Sequence, residues 1–191
     1  EQTLFVERVD RTEWISFQRT ELLNAMSTQM LRQMAAALES ALADDGVRTI
    51  VLTGSGRAFC AGADLKEVAG AKHAPGEPDL LDLVDHTSGL IRHGPQPVIA
   101  GVHGMVLAGS SDMVTACDLG LAAATAQLGS AHSNLGVFLG PGGAATLTRR
   151  GVAGRPNFDA LRCARNRYLR YPPPSTLPVL AWRRRRIPLR S

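Results

Sequence analysis

The residues of this chain that could do chemistry crowd into one stretch, Pro97 to Gly143. It reads P-V-I-A-G-V-H-G-M-V-L-A-G-S-S-D-M-V-T-A-C-D and, further on, L-G-S-A-H-S-N-L-G-V-F-L-G-P-G-G. Val98-Ile99-Ala100 is a short apolar run closed by Gly101 and predicts a buried strand. A loop with Gly104 and Gly109 is expected next, with a helical pattern starting at Asp112-Met113-Val114. Strand, glycine-bearing turn and helix start leave main-chain N–H groups free to face a ligand. The Asp112 carboxylate, just inside that helix, would sit beside them. Ser110 or Ser111 as nucleophile, with His132 as base, is a second chemistry the same stretch allows, that of a hydrolase. No third residue that would orient His132 is visible.

Positioning such groups requires a frame, and the flanking sequence supplies strands and helices in alternation. Leu4 to Val9, a turn at Asp10-Arg11-Thr12 and Trp14 to Phe17 predict a hairpin. From Thr28 to Ala43, Met30, Leu31, Met34, Ala37, Leu38, Ala41 and Leu42 keep helical spacing, and Ser27 is placed to cap that helix. Thr49 to Thr53 reads as a buried strand, and Ala58-Phe59-Cys60 is a second short run. Pro75, Gly76 and Pro78 mark residues 70–79 as a loop. Helical spacing returns from Leu80 to Ile91, and Leu119 to Ala122 and Ala126 to Gly129 read as further strands. The alternation predicts an α/β fold.

At 191 residues the chain can bury a sizeable core, and 45% hydrophobic with 20% charged residues is a globular composition. No apolar run approaches the ~18 residues of a membrane span, and Glu1-Gln2-Thr3 begins no signal peptide. Cys60, Cys117 and Cys163 lack C-x-x-C spacing, which argues against a disulfide framework or zinc site and points to a reducing cytoplasm. The net charge of +4 is divided unevenly. Residues 155–191 hold ten arginines and one acid and contribute +9, whereas residues 1–154 contribute −5. The basic character belongs to the tail, so overall charge gives no reason to expect a nucleic-acid partner.

The run R-A-F-C-A-G-A-D-L-K-E (Arg57 to Glu67), with P-V-I-A-x-V-x-G, A-C-D-L and P-G-G-A-A in that order, resembles the enoyl-CoA hydratase/isomerase family, the crotonases. The resemblance covers roughly residues 4–150. It implies a crotonase-like spiral of ββα units, which the residue patterns alone do not predict. It also implies action on acyl-CoA thioesters through an enolate, with coenzyme A entering as part of the substrate and no other cofactor. By residue-wise match the oxyanion hole would be the N–H groups of Ala63 and Gly109, with Gly62 allowing close main-chain approach. The family's two catalytic glutamates would fall at Asp112 and His132, a shorter carboxylate and an imidazole that still form an acid/base pair. Lys66 resembles a lysine near the CoA phosphates, Arg19 the arginine before the family's N-A-x motif, and Asp64 lies between them in the substrate-binding segment. Plainer roles stay open: turn glycines, a helix-capping Asp112, a loop histidine at His132, a turn-stabilising Asp64.

The resemblance further implies closing helices after about Arg150 and assembly as a homotrimer or hexamer. Neither apolar period is present in residues 155–191, where Arg, Pro and Leu dominate. That stretch is expected to be a poorly ordered tail, either a coding sequence read in a shifted frame or an ordinary basic extension. The sequence therefore predicts a crotonase-like domain over residues 1–154, altered or truncated at its C-terminus. A chain that only binds acyl-CoA or intact subunits is the non-catalytic alternative.

Overall fold

The hairpin forms where expected: β1 (Leu4–Val9) pairs antiparallel with β2 (Thr12–Phe17), with Val9 opposite Thr12. The computed structural model describes residues 2–70 and 77–129, together with the backbone of residues 169 and 170. A single turn of 3-10 helix, Thr20–Leu22, leads to α1 (Thr28–Ala43). The Ser27 hydroxyl accepts the Met30 N–H at 3.2 Å and satisfies one of the donors a helix start leaves open. Thereafter strands come in consecutive pairs: β3 (Thr49–Gly54) with β4 (Ala58–Cys60), β5 (Val98–Val102) with β6 (Met105–Leu107), and β7 (Leu119–Ala122) with β8 (Gln127–Gly129). Between the pairs lie α2 (Leu65–Gly70) and α3 (Leu80–His93), then α4 (Gly109–Ala116).

The first member of each pair joins one sheet and the second joins another. The five-stranded sheet runs β1-β2-β3-β5-β7, and the four-stranded sheet runs β4-β6-β8-β9, where β9 is Leu169–Arg170. Successive turns of a spiral enter each sheet in the same direction, so β2, β3, β5 and β7 are mutually parallel, as are β4, β6 and β8. Repeated βαβ-type crossovers require this parallelism.

The core lies inside the angle of the two sheets and the helices. Met30, Leu31, Met34 and Leu38 of α1 are buried in one cluster with Ile15, Phe17, Ile50, Leu52, Val98 and Ala100 of the first sheet. Phe17 of that sheet meets Phe59 of the other edge to face, with ring centroids 5.2 Å apart. Burial of residues this large supplies about 1.5–3 kcal/mol each.

Three expectations need revision. Residues 105–107, read as loop, form β6 because the short M-V-L run continues the parallel ladder beside β4 and β8. Helix α4 starts at Gly109 rather than Asp112, since Gly109-Ser110-Ser111 carries too few large apolar residues to show a helical period. Helix α2, missed in the sequence, precedes the segment read as a loop and shares only Gly70 with it; residues 71–76 lie outside the described residues. Helix α3 is as expected and gains a capping box, with Asp79 and Asp82 each accepting the other's N–H. Among the described residues no helix is long and apolar enough to cross a membrane.

The sheet crossing at β3 and β4 is held from outside by Asn24. Its side-chain amide donates to the Ser55 carbonyl at 2.9 Å and to the Ala58 carbonyl at 2.8 Å, and the residue is fully buried. Asn24→Ala should lower stability by about 2 kcal/mol in urea unfolding, because two interior carbonyls lose a donor. An unchanged midpoint would show that the crossing does not depend on it.

Candidate active site

Strand β4 ends at Cys60, and the chain then runs beside the loop before α1. Ala61 donates to the Leu23 carbonyl at 3.0 Å, Met26 donates to Gly62 at 2.7 Å, and Asp64 donates back to Met26 at 2.8 Å. These bonds form a one-residue parallel bridge between Met26 and Ala63. In such a bridge the flanking residues, Gly62 and Asp64, bond to Met26, and the central residue turns its own groups the other way. The Ala63 N–H thus points away from Met26, and it donates to no acceptor among the described residues.

The next turn of the spiral repeats the arrangement with different means. Strand β6 ends at Leu107, Ala108 donates to the Gly129 carbonyl at 3.0 Å, and α4 starts at Gly109. Ser111 reaches back to the Ala108 carbonyl at 2.8 Å. The Gly109 N–H, first of the helix, also has no acceptor among the described residues. The two segments are packed together. Gly62 has φ of +98°, and a Cβ there would lie 2.9 Å from the Leu107 carbonyl oxygen and 3.3 Å from the Ala108 Cβ. A Cβ on Gly109 would lie 3.2 Å from the end of the Met26 side chain, the residue that bridges Ala63. Both glycines are there because main chain meets main chain or a core side chain.

Neither serine is free to attack a substrate. Ser110 is fully buried; its hydroxyl donates toward the Leu107 carbonyl at 2.7 Å and the Cys60 carbonyl at 2.9 Å, and accepts the Leu107 N–H at 3.0 Å. The Ser111 hydroxyl donates to Gly129 at 3.1 Å. His132 lies outside the described residues. With both hydroxyls committed to main-chain carbonyls, the nucleophilic-serine reading loses its basis.

Asp112 sits one turn into α4, so it does not cap the helix; that position belongs to Ala108, which has no capping side chain. Burial pushes the Asp112 carboxyl up to about 7, with the Arg92 charge opposing the shift. A carboxyl titrating there can give or take a proton near neutrality.

Asp64 is driven in the opposite direction. Burial alone would raise its pKa, but the Arg19 hydrogen bond, the Glu67 and Lys66 amides and the Arg19 charge outweigh that and hold it below the ordinary carboxylate value. Arg19 Nη2 lies 3.0 Å from Asp64 Oδ2 while Nη1 bonds the Ala25 carbonyl. Asp64 Oδ1 accepts the N–H of Lys66 at 3.2 Å at the start of α2. Arg19 and Asp64 therefore clamp the loop that carries Ala63. The Lys66 side chain is exposed beside it. A separate cleft of about 530 Å³, walled by Arg19, Ser27, Arg32 and Glu67 among others, touches none of Ala63, Gly109 or Asp112. Cys60, adjacent to the site, is fully buried and its thiol is pushed up to about 11 by that burial, so it is no nucleophile.

Residue reading did not find the roles of Met26, Asn24 and Ser110. The N-A-x motif served only to locate Arg19, and the partners of Asn24, Ser55 and Ala58, are more than thirty residues away. No local pattern could have named them.

Two outcomes follow from this geometry. Ala108 has φ of 52° and ψ of −127°, a region glycine enters without strain and alanine does not. Ala108→Gly should therefore stabilise the chain by about 1 kcal/mol, read as a higher thermal midpoint; a lower midpoint would show that the turn carries no strain. For Asp112, the unfolded carboxyl releases its proton near ~4, whereas in the native chain it does so at about 7. Between these values the native state binds more protons, so this group's contribution to stability is full at low pH and is lost as pH rises to about 7, then levels. Asp112→Asn should gain on the wild type across that window in urea midpoints. A difference constant with pH would show that Asp112 titrates normally.

Known proteins match this chain in sequence and in fold. Residues 12–155 match the family model described as enoyl-CoA hydratase/isomerase. A probable enoyl-CoA hydratase of Rhizobium meliloti is 38% identical over 149 residues, which cover 78% of this chain and 56% of that protein. The crystal structure of an enoyl-CoA hydratase from Geobacillus kaustophilus superposes with a TM-score of 0.69 at 36% identity, over 78% of this chain and 57% of that one. One from Thermoplasma volcanium gives 0.75 at 28% identity, over 85% and 64%. This chain thus spans somewhat over half the length of the relatives it matches. On the extent of that match, and on strand pairs wound alternately into two sheets, the chain belongs to the enoyl-CoA hydratase/isomerase family and has the crotonase fold.

Proposed function

We propose that this chain acts on acyl-CoA thioesters as an enoyl-CoA hydratase or double-bond isomerase, in fatty-acid or related acyl-CoA metabolism. The N–H groups of Ala63 and Gly109 take the thioester oxygen and stabilise the enolate that forms when the β-carbon gains a nucleophile or the α- or γ-carbon loses a proton. One observation carries the reading: two main-chain N–H groups without acceptors among the described residues, on packed segments of consecutive spiral turns, with Asp112 one helical turn from the second. Donors fixed before reaction, aimed where negative charge develops, stabilise it without reorganisation.

Asp112 is the proton-handling group on this side, its pKa of about 7 matched to taking a proton from water or carbon and returning it. His132 is the second group, matched along with Asp112 by sequence to the family's two glutamates. Gly62 lets the main chain approach the thioester, Arg19 and Asp64 hold the Ala63 loop, and Lys66 meets the CoA phosphates. Coenzyme A enters as part of the substrate, with no separate cofactor, and neither nucleic acid nor membrane has a part. Assembly as a homotrimer or a pair of trimers belongs to the same proposal. So does a cytoplasmic location, which the buried Cys60 and Cys117, neither of them in a disulfide, support.

Turnover of a short 2-enoyl-CoA in ¹⁸O-labelled water tests the assignment. Hydration puts the label on the β-carbon; isomerisation exchanges protons at carbon and incorporates no oxygen. Asp112→Asn should lower kcat by at least ~100-fold with thioester affinity nearly intact, and the wild-type rate should rise or fall through about pH 7. Asp112→Asn at the wild-type rate, with the same pH profile, would remove Asp112 from the chemistry.

A further inference from the structure

Strands β4 and β6 pair in parallel, but their register slips between Ala58 opposite Met105 and Cys60 opposite Val106. The parallel pairing of Cys60 with Val106 sets the Leu107 N–H beside the Cys60 carbonyl. Here the Leu107 N–H donates to the Ser110 hydroxyl at 3.0 Å, and that hydroxyl lies 2.9 Å from the Cys60 carbonyl oxygen. The side chain of the second residue of α4 therefore touches both strands at this point. Its single proton is shared with the Leu107 carbonyl at 2.7 Å. Ser110 is fully buried, so no water competes for these bonds.

The place of this contact matters. Cys60 is three residues before Ala63, and Leu107 is two before Gly109. An oxygen bonded to both main chains bears on how far apart the two strand ends lie, and thus on the separation of the two N–H groups that follow them. The other ties on the Ala63 loop, from Leu23, Met26 and Arg19, come from the opposite side and do not cross to β6. We propose that Ser110 is a positioning residue for the thioester site: its hydroxyl fixes the spacing of the Ala63 and Gly109 donors. This rests on the reading of those two groups as the oxygen-binding pair, and it assigns Ser110 a role that needs neither nucleophilic nor acid/base chemistry.

The test uses the full chain and ¹³C-carbonyl acetyl-CoA, a thioester with no double bond to react. The bound carbonyl stretch is read by infrared difference spectroscopy, and the free protein's Ala63 and Gly109 amides by ¹⁵N NMR. In the wild type the carbonyl should shift to lower wavenumber. Ser110→Ala should move both amide signals, lose most of the carbonyl shift and lower kcat by about tenfold, with acetyl-CoA Kd changing less than about threefold. Ser110→Thr, which keeps the hydroxyl, should restore the shift. Ser110→Cys, with a weak donor of similar size, replaces alanine if that variant unfolds, and should give an intermediate shift. Amide signals and carbonyl shift unchanged in Ser110→Ala, or lost equally in a folded Ser110→Thr, would overturn the proposal. A wild-type carbonyl that does not shift would overturn the thioester reading itself, while the amide signals would still report whether the hydroxyl sets the spacing.

Discussion

A main-chain N–H held inside a protein without an acceptor is unfavourable by an amount comparable to a lost hydrogen bond. Among the described residues, the half-buried Ala63 and Gly109 present main-chain N–H groups with no protein acceptor, and much of the surrounding structure is what keeps them in place. The spiral brings the ends of β4 and β6 side by side because each turn adds one strand to the same sheet. The Met26 bridge turns the Ala63 N–H outward from the loop before α1, and the start of α4 leaves the Gly109 N–H beyond the reach of any helical carbonyl. Tight packing of Gly62 on Leu107 and Ala108 prevents the two segments from closing on each other. Strain at Ala108 is tolerated at the same place, as is common where a backbone is shaped for a ligand.

Two carboxylates close to these groups have been given opposite electrostatic surroundings. Asp64 is surrounded by donors, the Arg19 guanidinium and the first amides of α2, and stays charged as part of a clamp. Asp112 lies on a helix whose neighbours Ser111, Met113 and Val114 are buried, and there desolvation dominates. A carboxyl fixed in its charged form is a structural anchor; one that titrates near neutrality can exchange protons with a substrate. The chemical division of labour follows from solvation and not from the residue type, which is the same in both.

How much of this was legible in the sequence depended on how local the responsible interactions are. The bounds of α1, its Ser27 cap and the hairpin follow from neighbours within four residues or a two-residue turn, and they were readable. Helix α4 was read three residues late because Gly109-Ser110-Ser111 is helical only through its contacts with β6 and β8; small polar residues carry no period. Strand β6, three residues long, could not be told from a loop without the strands on either side. The spiral itself came from family resemblance, since no repeat is visible in the residues. The same motifs pointed to Ala63 and Gly109 as a pair, whereas the hydroxyl contact of Ser110 depends on a carbonyl fifty residues away, which no spacing rule reaches.

The account stands on Ala63 and Gly109 donating to one oxygen. Titrating acetyl-CoA into the ¹⁵N-labelled chain measures this most directly. Both amide protons should move downfield together along a single binding curve, as donors entering hydrogen bonds to the same acceptor do. A saturating titration in which only one of them moves, or neither, would contradict it.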